Sequence, residues 1–185
     1  MYADVDNRVD RIIVTPFGDD LRDTVKQKLE FAGWTLVQMP AIPPPASVNV
    51  HTVKNARYLA CFSKLHAFNM TRYDVVLFLD ADTMLCGNIM ELFTQYAPRM
   101  HESGVHLAWA RDSVYKNHIG SPFNSGVMLI RPCMKLTEQL IINTEHVVFD
   151  PSLGDQGFLT AVFNTTHPAH ARSVHKQFQI LPQKF

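Results

Sequence analysis

Val75-Val76-Leu77-Phe78-Leu79-Asp80-Ala81-Asp82 is the stretch that decides the fold of this chain. Its first five positions are apolar without a break and rich in β-branched and aromatic side chains, so the run reads as a strand. A strand that does not alternate has both faces covered. That is the habit of a central parallel strand held between layers of helices. The two aspartates then stand at its carboxyl end, where ligands bind in open α/β sheets.

The neighbours of the run alternate in the same way. Upstream, residues 56–69 place Leu59, Phe62, Leu65, His66 and Phe68 at helical spacing, behind an extended connector made by Pro43-Pro44-Pro45 that joins two parts of one sheet. Before it come a strand over 11–15 closed by Pro16, a helix over 19–31 ended by Gly33, and a strand over 34–39. Downstream the pattern predicts a short helix over 88–93 capped by Asn88, strands over 105–110 and 126–130, and helices near 134–146 and 155–163. Strand and helix taking turns predict one α/β layered domain over residues 1–185.

Composition narrows the function. The 185 residues hold 17 Lys+Arg against 17 Asp+Glu, 46% hydrophobic and only 18% charged, which suits a packed core and excludes a disordered chain. A neutral balance without a basic stripe supplies no field for a polyanion, so nucleic acid is not an expected partner. No stretch approaches the roughly 20 apolar residues of a membrane span, and residues 1–11 lack the basic-then-apolar order of a signal peptide. The expectation is a soluble, cytoplasmic protein, although Asn69-Met70-Thr71 and Asn164-Thr165-Thr166 fit the glycosylation tripeptide and keep a secretory or Golgi location open. Cys61, Cys86 and Cys133 are odd in number and far apart, so they read as small buried hydrophobes rather than as a disulfide framework or a metal site.

Asp80 and Asp82 at one site repel by about 3 kcal/mol at roughly 5 Å and an effective dielectric near 20. The adjacent Thr83-Met84-Leu85-Cys86 offers no cation, so a divalent ion is the natural partner, and hard oxygen donors suit Mg²⁺ or Mn²⁺ on substrate phosphates. The competing reading, that the pair caps the following helix, is weaker because Asn88 is better placed to do so.

Five ordered blocks carry a resemblance: Phe62-Ser63-Lys64-Leu65; Tyr73 to Thr83; Asn88-Ile89-Met90-Glu91-Leu92-Phe93; Phe123-Asn124-Ser125-Gly126-Val127-Met128; and Gly154-Asp155-Gln156-Gly157-Phe158-Leu159. Together they resemble glycosyltransferase family 8, the glycogenin and galactinol synthase group. The resemblance implies a GT-A nucleotide-sugar fold, a mixed and mostly parallel Rossmann-like sheet with helices on both faces. It also implies retaining transfer of a hexose from UDP-glucose or UDP-galactose to a sugar, polyol or protein acceptor, assisted by Mn²⁺ (or Mg²⁺). By the same resemblance Asp80 and Asp82 hold the metal, and Lys64, Asp80, Asp112, Asn124 and Ser125 bind the donor. Asp155 and Gln156 face the donor sugar as the catalytic pair. Ordinary roles compete for several of these residues: a solvated helix lysine for Lys64, a turn for Asn124-Ser125, a helix cap for Asp155.

The family's first strand and helix, which carry uracil-binding residues, have no counterpart here, nor has its downstream metal-ligand histidine. The resemblance thus implies a core shortened at both ends, with a partial metal shell and weak binding of Mn²⁺ and UDP. His167, His170 and His175 match no tight zinc spacing. Two other classes compete. One is a transferase fold kept only as a binding module. The other is a haloacid dehalogenase-type phosphatase, disfavoured because Met84 stands where that pattern wants Thr or Val and because 154–157 supplies a single carboxylate.

Overall fold

The computed structural model describes residues 9–15, 21–45, 48, 60–111, 123–163 and 178–180. Strands β1 (Ile12–Thr15) and β2 (Thr35–Gln38) pair in parallel, with Ile12 opposite Thr35 and Thr15 opposite Gln38, and helix α1 (Asp23–Phe31) forms the crossover between them. Gly33, at φ +81°, turns the chain from α1 into β2 in a conformation that glycine adopts without steric cost.

A second sheet has the order β3 (Val76–Leu79), β5 (Phe123–Ile130), β4 (Leu107–Arg111), β6 (Phe178–Ile180). β3 and β4 both run antiparallel to β5, and β6 is parallel to β4. The mixed α/β class expected from the sequence is the class that forms. The pairing of β3 differs from expectation: it lies at the edge of these four described strands and antiparallel to its neighbour. An unbroken apolar run encodes coverage of two faces and says nothing of strand direction. Both faces are indeed covered. Val76 and Phe78 pack on the cluster containing Phe62, Leu65, Trp109 and Phe158, while Val75 and Leu77 pack on Leu92, Met100, Ala108 and Leu129. As an edge strand, β3 nonetheless leaves all four of its residues only half-buried.

Over 56–69 the described part is a 3₁₀ helix, Cys61–Asn69, where an α-helix was expected. Its buried Phe62, Leu65 and Phe68 recur every three residues, a spacing that suits three residues per turn. The expected short helix over 88–93 begins as foreseen, with Asn88 Oδ1 accepting from Met90 N at 3.0 Å. It then continues through a π turn (Leu92–Tyr96) into α2 (Ala97–Ser103), which ends on Gly104 at φ +70°. Pro98 accounts for the wide turn: it has no N–H to give the preceding turn, and its ring would press on the Thr94 carbonyl in a regular helix.

Helices α3 (Met134–Thr144) and α4 (Gly154–Phe163) cover the sheet together with the 3₁₀ helix, enclosing Phe62, Phe68, Trp109, Phe158 and Phe163. Trp109 stacks on Phe123 at 4.4 Å between ring centroids and meets the edge of Phe163 at 5.9 Å. The proline connector leads from the two-stranded sheet to this core instead of joining two parts of one sheet. Ile42 N donates to Ser63 Oγ at 3.1 Å, and His66 Nε2 lies 2.7 Å from the Pro40 carbonyl oxygen. A further tie is Tyr73, whose hydroxyl donates to Asp10 Oδ2 at 2.7 Å. Among the described residues no helix is long and apolar enough to cross a membrane. No disulfide joins the three cysteines, and they are not all buried: Cys86 is exposed and Cys61 and Cys133 are half-buried.

Candidate active site

The site is built where the β4–β5 ladder slips. Trp109 lies opposite Met128, yet the next residue, Ala110, lies opposite Asn124. One step along β4 is matched by four along β5, so Ser125, Gly126 and Val127 have no opposite residue on β4. Such irregularities re-aim side chains at the ends of sheets. Asn124 and Ser125 therefore belong to the strand itself, which begins at Phe123 rather than at 126. The carboxyl end of β3 is fixed to the same point, because Asp80 N donates to the Gly126 carbonyl at 2.9 Å. Gly126 leaves room there: a Cβ on it would come within 2.8 Å of Asn124 Oδ1 and 2.9 Å of Asp80 Oδ2, so one or both of these site side chains would have to shift.

Lys64 reaches into this corner from the 3₁₀ helix. Its Nζ lies 3.1 Å from each of the two Asp80 carboxylate oxygens, 3.3 Å from Ser125 Oγ and 3.1 Å from Asp155 Oδ2. It also sits 5.5 Å above the Phe78 ring. With a side chain only 12% exposed, Lys64 is not a solvated helix lysine. Burial disfavours its ammonium form, but the carboxylates of Asp155 and Asp80 outweigh burial and hold its pKa above the usual lysine range. Asp80 was expected to need a cation that its own segment does not supply. Its direct partner proves to be this lysine, sixteen positions earlier in the chain and brought in by packing.

Asp155 opens the first turn of α4, where the helix dipole favours a carboxylate, and its side chain is 6% exposed. Here the capping and functional readings coincide, since the same carboxylate also pairs with Lys64. Gln156 Oε1 accepts from Ser125 N at 3.3 Å and joins α4 to the irregular part of β5. Asn124 Oδ1 accepts from Gly126 N at 2.7 Å, leaving the amide NH₂ as the group it presents. The tight entry to α4 rests on Gly157, where a Cβ would collide with the Asp150 carbonyl oxygen.

Of the predicted residues, Lys64, Asp80, Asn124, Ser125, Asp155 and Gln156 converge. Asp82 does not join them; it lies exposed on the turn that follows β3. Asp112 lies outside the described residues, as do His167, His170 and His175. Among the described residues, no group of three or more His, Cys, Asp or Glu side chains is gathered as a metal cluster. Asp80, about one-third exposed, and the exposed Asp82 are two hard oxygen donors at one strand end. That donor chemistry fits a hard divalent ion of the Mg²⁺ or Mn²⁺ class.

Sequence reading missed Cys61. Burial, then the nearby Asp155 carboxylate, push its pKa up to about 11 against the opposing pull of Lys64. The available signal was spacing: in a 3₁₀ helix, residues 61 and 64 stand directly above one another.

No protein-family model matches the chain. It is 31% identical over 162 residues to UDP-glucuronate:xylan alpha-glucuronosyltransferase 1 of Arabidopsis thaliana, a match covering 86% of this chain and 21% of that protein. Glycogenin-1 of Oryctolagus cuniculus is 28% identical over 155 residues, 83% of this chain and 41% of the relative. Inositol phosphorylceramide glucuronosyltransferase 1 of Arabidopsis thaliana is 27% identical over 153 residues, 82% of this chain and 24% of the relative. The chain belongs to glycosyltransferase family 8. As a family 8 chain it spans between about a fifth and two-fifths of the length of these relatives. The family 8 blocks named from the sequence supply the six converging residues.

Proposed function

We propose that the chain is the catalytic core of a metal-dependent retaining hexosyltransferase that takes a UDP-sugar donor and passes the sugar to a sugar, polyol or protein acceptor. The observation that carries this reading is the convergence of Lys64, Asp80, Ser125 and Asp155 on one partly buried point at the end of β3. UDP-glucose and UDP-galactose are the first donors to test. UDP-glucuronate joins them because a relative bears it in its name.

In this reading Asp80 and Asp82 hold Mn²⁺, or Mg²⁺ in its place, which when bound neutralises charge on the departing diphosphate. Lys64 keeps a positive charge beside Asp80 and adds to that neutralisation from the protein side. The Asn124 amide and the Ser125 hydroxyl bind sugar hydroxyls without adding charge. Asp155, with Gln156 beside it, places a fixed negative group where positive charge develops on the sugar ring, and a preorganised carboxylate there costs no reorganisation during reaction.

The test is hydrolysis of UDP-sugars by the purified chain, with Mn²⁺ and after chelation, repeated with Asp82→Asn. The expected result is turnover that requires the ion and falls at least about tenfold in the variant. No turnover of any of the three donors with either ion would instead favour a non-catalytic binding module.

A further inference from the structure

Lys64 is divided unevenly between its two carboxylates. Its Nζ stands 3.1 Å from both oxygens of Asp80 and 3.3 Å from Ser125 Oγ, and it donates a hydrogen bond to each of these residues. The enclosed Asp155 Oδ2 is equally close, at 3.1 Å, yet receives no hydrogen bond. The ammonium therefore directs its donors to the more exposed carboxylate and meets the buried one by charge alone. A buried acceptor without a hydrogen bond is unfavourable, so a second resting place for Lys64 already stands beside the first. A lysine ammonium is a point charge with rotatable donors on a flexible stem, and it can turn between two such acceptors with little movement.

We infer that Lys64 is a built-in placeholder for the divalent ion, holding Asp80 until a diphosphate offers its ammonium a new partner, and that this exchange makes ion and donor bind cooperatively. The inference rests on the reading of Asp80 and Asp82 as the residues that hold the ion. An ammonium against both Asp80 oxygens repels a second cation at the same carboxylate. Asp80 accepts an ion only as Lys64 turns away from it. Asp155 keeps the released ammonium in the corner, where a diphosphate takes the place that Asp80 gives up. Without the diphosphate, Lys64 loses a partner and gains none, so the ion alone binds weakly. The coupling is reciprocal: whatever the diphosphate adds to the affinity for the ion, the ion adds to the affinity for the diphosphate.

Binding of Mn²⁺ and UDP to the purified chain tests this without turnover. The informative protein combines Lys64→Met with Asp155→Leu, which removes one charge of each sign, so the net charge of the site is unchanged and no buried carboxylate loses its partner. Mn²⁺ alone, followed by the disappearance of the free-ion EPR signal, should bind this double variant at least about fivefold more tightly than the wild type. UDP, titrated calorimetrically with and without Mn²⁺ and corrected for their pairing in buffer, should gain less from the ion in the double variant, by a similar factor. The tighter Mn²⁺ binding is also expected of Lys64→Gln, which keeps an amide donor for the two carboxylates and gives the answer if the double variant does not fold. Equal or weaker Mn²⁺ affinity in the variants, or an unchanged gain for UDP, would overturn the placeholder role and leave Lys64 as a simple added charge for phosphate. So would the absence of Mn²⁺ binding from all three proteins. Affinities in the expected order with no turnover of any UDP-sugar would remove the transferase reading and leave the exchange standing.

Discussion

The two sheets use similar residues and bury them differently. β1 and β2 are rich in β-branched residues and carry five apolar side chains, yet α1 buries none of its residues, and Phe31 at its end is 96% exposed. In the four-stranded sheet Leu107, Ala108 and Trp109 are fully enclosed, as are Met128, Leu129 and Ile130. Pairing accounts for the first unit: a parallel ladder and a glycine turn fold it locally. A second layer accounts for the other, because α3, α4 and the 3₁₀ helix close one face and the π turn with α2 closes the opposite face. The polar site belongs to the covered sheet. A lysine and a carboxylate can be held in fixed geometry only where the surrounding packing leaves few alternatives.

Four experiments break or sharpen that contrast. The largest effect is expected from Trp109→Ala, which empties the space between Phe123 and Phe163 and should cost about 3–5 kcal/mol in urea denaturation; a loss under about 1 kcal/mol would mean that the covered sheet is not the stabilising one. Lys64→Met should follow at about 3 kcal/mol, because it leaves Asp155 enclosed without its counter-charge. Adding Asp155→Leu to it should recover most of the loss, and a double variant weaker than the single one would deny that the pair is coupled. The third effect is alkaline. Cys61 and Lys64 both have raised pKa values when folded, so each favours the protonated native state. Their contribution is complete below the unfolded thiol value and is lost as pH rises toward about 11 and then through the lysine. Stability should be level from pH 7 to 8.5 and fall above pH 9, less steeply in Cys61→Ala; identical slopes would remove Cys61 from the balance. The smallest effect belongs to the uncovered unit, where Phe31→Ser should change stability by no more than about 0.5 kcal/mol.

How far the sequence could be read follows the same division. Local chemistry was legible: the apolar run of β3, Asn88 as a cap, and Asp155 in the first turn of α4 are set by neighbours within a few residues. The direction of β3 was not, since an unbroken apolar run is the same whether its partner runs with it or against it. The continuation of the helix beyond the expected 88–93 to Ser103 was not either, because the π turn that absorbs Pro98 leaves no local mark. Lys64 was named for the site, but its bond to Asp80 depends on packing between segments sixteen residues apart. Cys61 was taken for a small hydrophobe because composition sees the thiol and cannot see the carboxylate beside it. The exposure of Asp82 on the turn after β3 could not be foreseen from a two-residue spacing.

The slip between Trp109 and Ala110 has a consequence for how such a site can diversify. Above it, the ladder from Leu107 to Trp109 keeps step with Met128 to Ile130 and carries the core. Below it, Ser125, Gly126 and Val127 have no opposite residue on β4, and Ser125 reaches Lys64 in the polar corner. The strand thus works like a vernier: one scale stays engaged with the core while the other is free to be reset. An exchange at Ser125 would change the group presented to the proposed donor while the hydrophobic register holds, so the polar corner and the core can drift independently along a single strand.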